Sequence, residues 1–501
     1  MRRKKAIRNI FFSFVLEAFA LVSGFIIPRL IISTFGSETN GLLNSIASFI
    51  GYVGLLQSGM GSVAKASLYK PLAEKNTNMI NTLVATIESF FRKIALITVV
   101  YVSVLSIFYP IAIANNLDFV YVASLVIIIG VGTVAQYYFG ITYQMLVEAD
   151  QNSYIYSILQ TVSVIINTLL VILFVKLGCS IQVVKLASAT IFLLRPFCLN
   201  IYVRKKYHIN RKAKQDKSLL KQRWDGFWQA IAFFIHSKTD VFVLTVFSSF
   251  AQVSIYGVYV MVTTALTTMV KIIDKAMNAV LGNIYALNET TNMQKTFKSY
   301  CTLTHMIATI LFSTAAVTVS SFVKVYTYGI NDVNYVQPLF SVVIITAEML
   351  YCLRLPYNSI IYVAGRFRDT RNSALIEAAI NIVVSCMLVF KFGLVGVACG
   401  TLVAMIYRTI YFIVFLKNNI IKLNVIMQVK RYAISLVLYL AFIFLSRLYS
   451  VTVDNYLLWA VYAGCVFIVI SIVTILVNLL FYKKEIIEIV AKSKRIKKGK
   501  K

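Results

Sequence analysis

The residues of this sequence best placed to do chemistry are charged side chains inside long apolar runs. A charge in the bilayer costs at least about 2.5–3.5 kcal/mol on insertion scales, so such a residue usually faces a cavity or a partner. We predict that the basic ones hold an anionic head group in a cavity: Arg29, Arg195, Lys238, Arg354 and Arg408. The acidic ones are candidates for coupling to H+ or Na+: Glu17, Asp240, Glu348 and Glu377.

Several of these charged residues lie near the ends of their apolar runs, which leaves a second interpretation of their role open. Arg29 and Lys185 lie near the ends of their runs, where a long side chain can extend to the membrane interface instead. The same alternative applies to Arg195 and Arg408, and Glu377 could simply cap a helix or pair near Arg371 or Arg408. If basic groups predominate in the cavity, it should receive an anion, and the planar fork of arginine suits phosphate.

Cofactor chemistry has little support in the sequence. The seven cysteines and three histidines show no disulfide framework and no metal-ligand spacing. No P-loop, nucleophile elbow or Gly-rich phosphate motif is present, so we expect no ATP hydrolysis. We therefore predict no metal and no cofactor, with transport drawing on H+, Na+ or the membrane potential.

The composition predicts that these charged residues lie on membrane-spanning helices. The sequence is 59% hydrophobic and 14% charged, against roughly 45–50% and about 25% in soluble proteins. The net charge of +30 could suggest a nucleic-acid partner, but a mean hydropathy of +0.79 excludes a soluble basic domain. We predict an all-α polytopic membrane protein with 14 spans, near 8–34, 42–64, 94–113, 119–147, 154–175, 181–203, 227–248, 254–278, 301–323, 337–362, 374–390, 394–416, 433–448 and 457–480.

Basic residues in the loops predict the topology. They concentrate at both termini and in alternate loops, whereas the opposite loops hold only Lys176, Lys324 and Lys391. Because basic loops stay on the cytoplasmic side, we place both termini in the cytoplasm.

Short matches between the two halves of the sequence indicate an internal duplication. Thr77-Asn78-Met79 matches Thr291-Asn292-Met293, and Arg195 matches Arg408, all at offsets of about 213–216 residues. The offset spans an even number of helices, so the two six-helix lobes run in the same direction. The predicted organisation is an N-lobe (1–203), a basic cytoplasmic linker (204–226), a C-lobe (227–416), two extra helices (417–482) and a basic cytoplasmic tail (483–501).

Several segments resemble the Wzx-type polysaccharide flippases, which belong to the multidrug/oligosaccharidyl-lipid/polysaccharide (MOP) exporter superfamily. The resemblance covers essentially the whole chain. Its most specific part is Leu68-Tyr69-Lys70-Pro71-Leu72-Ala73-Glu74-Lys75, and it also includes Ala135-Gln136-Tyr137-Tyr138-Phe139-Gly140, Leu194-Arg195-Pro196 and Thr239-Asp240.

The resemblance implies a V-shaped, two-lobe fold in the bacterial cytoplasmic membrane. It implies that an undecaprenyl-diphosphate-linked oligosaccharide moves from the cytoplasmic to the outer leaflet by alternating access, for capsule, exopolysaccharide or teichoic-type polysaccharide synthesis. The expected partners are this glycan lipid, membrane lipids, and polysaccharide polymerase and glycosyltransferase enzymes. Flippases of this type place polar groups at positions matching Arg195, Lys238, Asp240, Arg354 and Arg408.

Other classes of function remain as alternatives. A lipid II flippase is close to the first prediction, and a cation-coupled multidrug exporter of the MATE type would favour acidic cavity residues instead. A membrane glycosyltransferase or polymerase would need catalytic groups in a sizeable outer loop, and the longest predicted one, 324–336, offers only Asp332 as an acid. We therefore predict a transporter and not an enzyme.

Overall fold

The computed structural model describes residues 2–58, 60–207, 209–210, 213–216, 238–287, 289–366, 368–421, 423–448 and 453–498. The predicted seventh span, 227–248, is described only from residue 238. Much of the predicted linker 204–226 and the end of the predicted tail 483–501 also lie outside the described residues.

The chain divides into two compact units, Met1–Ser254 and Ile255–Lys501. Residues 238–254 fall in the first unit, and the domain boundaries derived from the sequence stay predictions. The helices that begin in the first unit are α1 (Arg2–Gly51), α2 (Gly54–Ser58), α3 (Met60–Glu74), α4 (Thr77–Ala112), α5 (Phe119–Ala135), α6 (Ile141–Ala149), α7 (Ser153–Lys176), α8 (Ile181–Tyr207) and α9 (Phe250–Ala286), which continues into the second unit. A helical stretch over 238–247 precedes α9.

The second unit continues with helices of similar length. They are α10 (Thr290–Tyr326), α11 (Pro338–Leu353), α12 (Leu355–Val363), α13 (Arg371–Phe392), α14 (Leu394–Asn419), α15 (Val425–Ser446) and α16 (Tyr456–Lys498). Among the described residues all regular structure is helical, so the predicted all-α membrane fold is confirmed.

Local sequence sets where several helices begin. Asn76 accepts a hydrogen bond from the backbone N–H of Met79 at 3.0 Å, and Asp118 accepts one from that of Tyr121 at 2.8 Å. Asn424 caps α15 in the same way. Each cap satisfies a backbone donor that has no partner inside its own helix.

Twelve helical segments of the described chain are long and apolar enough to cross a membrane. This number agrees with the 14 predicted spans, because the segment Ile7–Gln57 contains the first of them and most of the second, and the span 227–248 is only partly described. Gly36 divides that segment: its φ of +83° is a conformation that glycine adopts without steric cost. The chain is therefore a multi-pass membrane protein.

Gly41 marks a close backbone approach inside the first unit. A Cβ at this position would overlap the backbone carbonyl of Phe250. Hydrogen bonds flank the contact, from the Asn40 amide to the Ser254 hydroxyl at 2.8 Å and between the hydroxyls of Ser45 and Thr245 at 2.7 Å. Small and polar side chains thus let α1 pack directly on the chain around residues 245–254.

We expect Gly41→Ala to lower the stability of the first unit by about 1–3 kcal/mol, because the added methyl has no space. The measurement is the thermal unfolding midpoint of the purified protein in detergent. Gly24→Ala is the matched control, since Gly24 lies on the same helix and a Cβ added there would have no neighbouring atom within 4 Å. Equal midpoints for the two variants would contradict the expectation.

Candidate functional site

Arg195 lines a cavity of about 820 Å³ inside the first unit. The residues Lys185, Ser188, Phe192 and Arg195 of α8 all face it. Their spacing of three, four and three residues places them on one side of a helix. The cavity wall is completed by side chains from the α2–α3 region, α5, α6, α7 and the turn between α5 and α6, including Gln57, Lys65, Thr133, Gln136, Gln144, Glu148 and Tyr156.

Two neutral amides hold the guanidinium of Arg195. Its Nη1 donates to Oε1 of Gln160, and its Nη2 donates to Oε1 of Gln136. The rings of Tyr156 and Phe192 each lie 5.8 Å from the guanidinium carbon. No carboxylate among the described residues pairs with Arg195, so its position is fixed while its positive charge is not compensated.

A local distortion of the helix places Gln136 against Arg195. Residues Gln136–Gly140 form one turn of π-helix between α5 and α6. Such turns insert a residue into a helix and are frequent at functional sites. Gly140 at the end of this turn packs against Pro196, so the distorted helix lies close to α8 beside the arginine.

Two lysines add to the positive charge of the cavity. Lys185 makes no ion pair within the described part of the chain. Nζ of Lys65 lies 2.8 Å from Oε2 of Glu148, and Gln144 donates to the other oxygen of that carboxylate at 2.8 Å. The lining thus holds three basic side chains and one acidic side chain, a formal charge of +2, and it favours an anion.

The second unit contains a different cluster, in which a carboxylate lies between two arginines. Nη1 of Arg354 is 2.8 Å from Oε1 of Glu377, and Nε of Arg408 is 3.4 Å from Oε2 of the same residue. Arg408 also donates to the hydroxyl of Ser373 and packs on the ring of Phe412. All three charged side chains are at most 8% exposed, so this is a buried ionic network.

The other predicted site residues are not among the ion pairs or lining side chains of these two clusters. Arg29 is half-buried and Glu17 is exposed, both on α1. The side chain of Lys238 lies beside Gly51, and Asp240 is buried. Glu348 on α11 accepts a hydrogen bond from Thr267 at 3.4 Å. Their predicted roles in head-group binding or ion coupling stay predictions.

Sequence reasoning missed three charged residues of the first cavity. Lys185 lies near the end of an apolar run, which suggests that its side chain extends to the interface. Its spacing from Ser188 and Arg195 nevertheless indicates that these residues share one helix face. Lys65 and Glu148 each follow directly after a predicted span and therefore fall in predicted loops. In the structure the helices extend past those limits, and both side chains face the cavity.

Solved structures with a similar fold include the lipid II flippase MurJ in an inward closed conformation. That likeness has a TM-score of 0.71 at 15% identity and covers 95% of this chain and all of that one. The MATE multidrug transporter DinF-BH, in a ligand complex, gives 0.60 at 16% identity, over 83% and 95%. An inward-facing multidrug resistance MATE family transporter of the MOP superfamily gives 0.55 at 12% identity, over 79% and 95%.

The chain shares its fold with these transporter structures. No family model matches the sequence, and no curated protein sequence is significantly similar to it. At these identities the shared property is the fold, so a substrate has to be argued from the side chains of this chain.

The two arginines matched by the predicted duplication have different surroundings in the two units. Arg195 donates to Gln160 and Arg408 donates to Ser373, and both pairs are 35 residues apart. The offsets of the duplication place residues 161–164 opposite Glu377, and none of those four is acidic. Arg195 therefore has no carboxylate partner among the described residues, whereas Arg408 shares Glu377 with Arg354.

Proposed function

We propose that this protein is a flippase for a lipid-linked anionic head group. The observation that carries the proposal is the cavity of the first unit, in which neither Arg195 nor Lys185 has a carboxylate partner among the described residues. A cation inside the bilayer without a counter-ion is costly, so a site that maintains two of them, the buried Arg195 and the half-buried Lys185, is suited to receive negative charge. The MOP-type fold, shared with the MurJ structure, supports the same function.

The substrate we propose is an undecaprenyl-diphosphate-linked oligosaccharide. Its diphosphate would bind to Arg195 through the planar guanidinium and to Lys185 as a point charge, while the prenyl chain stays in lipid. Without such a site, carrying the charged head group through hydrocarbon would cost tens of kcal/mol. The neutral polar groups of the wall, such as Gln57, Thr133 and Tyr156, are suited to contact sugar hydroxyls.

The proposed direction is from the cytoplasmic to the outer leaflet of the bacterial cytoplasmic membrane, with both termini in the cytoplasm. Because the cytoplasm is negative, outward movement of each negative charge is favoured by about 2.3 kcal/mol per 100 mV. The membrane potential can therefore drive export, with or without a coupled H+ or Na+ at one of the predicted acidic positions. Polymerase and glycosyltransferase partners belong to the same proposal.

Lipid II is the second candidate substrate, since its head group also contains a diphosphate and the MurJ structure has a similar fold. A cation-coupled multidrug exporter is supported by the MATE structures. The charge of the cavity favours an anionic substrate over a cationic drug.

The test is a flipping assay with the purified protein in vesicles of anionic phospholipid. Fluorescent undecaprenyl-diphosphate oligosaccharide, fluorescent lipid II and a cationic dye are compared by their accessibility to an impermeant quencher, against protein-free vesicles. We expect the oligosaccharide lipid to cross fastest and the dye not to be transported. Transport of the dye alone would refute the proposal, and preference for lipid II would reassign the substrate.

A further inference from the structure

The ion pair between Lys65 and Glu148 has a different character from the other charges of the cavity. Both side chains line the wall, and both are partly exposed, at 37% and 25%. An ion pair that remains in contact with water contributes little to stability, because solvent screens the charges and can replace either partner. The pair can therefore open at small cost.

Gln144 gives Glu148 a second anchor. It lies one helical turn before Glu148 on α6, and its amide donates to the carboxylate oxygen that Lys65 does not contact. If Lys65 moves away, the carboxylate keeps this hydrogen bond and its access to solvent. The acidic partner of the pair is thus held in place while the basic partner is free to leave.

Lys65 has the chemistry and the space to leave. An ammonium on a four-carbon stem can adopt several orientations, in contrast to the guanidinium of Arg195 between its two amides. One turn before it, Gly61 also lines the cavity, and a Cβ there would have only the terminal methyl of Met145 within 4 Å. The wall beside Lys65 therefore contains little that would block its side chain.

Glu377 in the second unit shows what a fixed counter-ion looks like. It lies between Arg354 and Arg408, and all three side chains are almost fully buried. Moving either arginine away from it would separate opposite charges that have almost no access to solvent. Glu148 has none of these restrictions, so the two carboxylates serve different purposes.

We propose that Glu148 is an exchangeable counter-ion that competes with the anionic head group for Lys65. Before the head group arrives, Glu148 holds Lys65 against the wall. When a diphosphate binds to Arg195 and Lys185, Lys65 turns to it as a third cation, and Glu148 stays bound to Gln144. Recapture of Lys65 by Glu148 then helps to release the head group. This inference rests on the proposed function and adds a positioning residue to it.

The test uses full-length protein in nanodiscs, with inorganic pyrophosphate as the probe and calorimetry as the readout. We expect Glu148→Gln to bind pyrophosphate about three- to tenfold more tightly than the parent protein, because Lys65 is no longer shared. In the vesicle assay the same variant should flip the oligosaccharide lipid more slowly, since release is delayed. Glu74→Gln is the matched control, because Glu74 pairs with Lys70 on the same helix, outside the cavity and largely exposed.

A double-mutant cycle separates exchange from simple repulsion. If Glu148 acts through Lys65, Glu148→Gln should no longer tighten binding in a Lys65→Gln background. Equal tightening in both backgrounds, or no tightening in either, overturns the inference while the anion site of the proposed function stands. Failure of the parent protein to bind pyrophosphate overturns the anion site itself, and the inference with it.

Discussion

Arg195→Gln is expected to reduce flipping of the oligosaccharide lipid by about 10- to 100-fold. A charge-assisted hydrogen bond contributes about 1.5–3 kcal/mol, and this substitution removes the fixed charge of the cavity together with its fork of donors. Arg195→Lys restores the charge but cannot donate to Gln136 and Gln160 in the same geometry. We therefore expect Lys to recover only part of the rate. The initial flipping rate in vesicles is the measurement.

Arg92→Gln is the control for this experiment. Arg92 is another arginine of the first unit, but it pairs with Glu88 at 2.6 Å and does not line the cavity. This variant should flip at nearly the parental rate. Thermal unfolding of each variant shows whether a lost rate reflects lost folding. A fully active, well-folded Arg195→Gln protein would contradict the proposed role of Arg195 as the central cation of the head-group site.

Glu377→Gln is expected to lower the stability of the second unit by about 3–5 kcal/mol. The substitution leaves Arg354 and Arg408 buried together without a negative charge between them. Unfolding midpoints in detergent provide the measurement. Glu148→Gln, which opens a partly exposed pair, should change stability by less than about 1 kcal/mol.

The same variant also tests the coupling role predicted for Glu377 from the sequence. If Glu377 is structural, any loss of transport should follow the loss of folded protein. A Glu377→Gln protein that unfolds at the parental temperature yet no longer flips would instead identify Glu377 as a coupling group.

The fold could be predicted because the bilayer imposes simple rules on sequence. Apolar length identifies the spans, and the match of Arg195 with Arg408 indicates a duplication from the order of residues alone. Individual charged residues could also be singled out, since each is costly in lipid. The sequence does not show which neighbouring helix a given side chain faces. The ion pairs of Glu377 connect α13 to α14 and to Arg354 at the turn between α11 and α12, and neither pair follows from spacing along one helix.

The cavity was harder to predict, for a related reason. Hydropathy identifies the apolar part of each helix, and a span predicted from it ends at the first charged residue. Lys65 and Glu148 therefore fall just outside two predicted spans. In the folded chain these edges belong to continuous helices, α3 and α6, and the side chains of Lys65 and Glu148 line the cavity. Helical spacing on α8 would have recovered Lys185, because residues 185, 188, 192 and 195 share a face.

The two 35-residue pairs, Arg195 with Gln160 and Arg408 with Ser373, bear on how the protein diverged after duplication. Under the predicted duplication, the two copies now differ by one carboxylate beside the matched arginine. Glu377 makes Arg408 part of a buried ionic network, and residues 161–164 offer Arg195 no such partner. One carboxylate is therefore enough to give two repeated halves different electrostatic properties, with no change in the arginine.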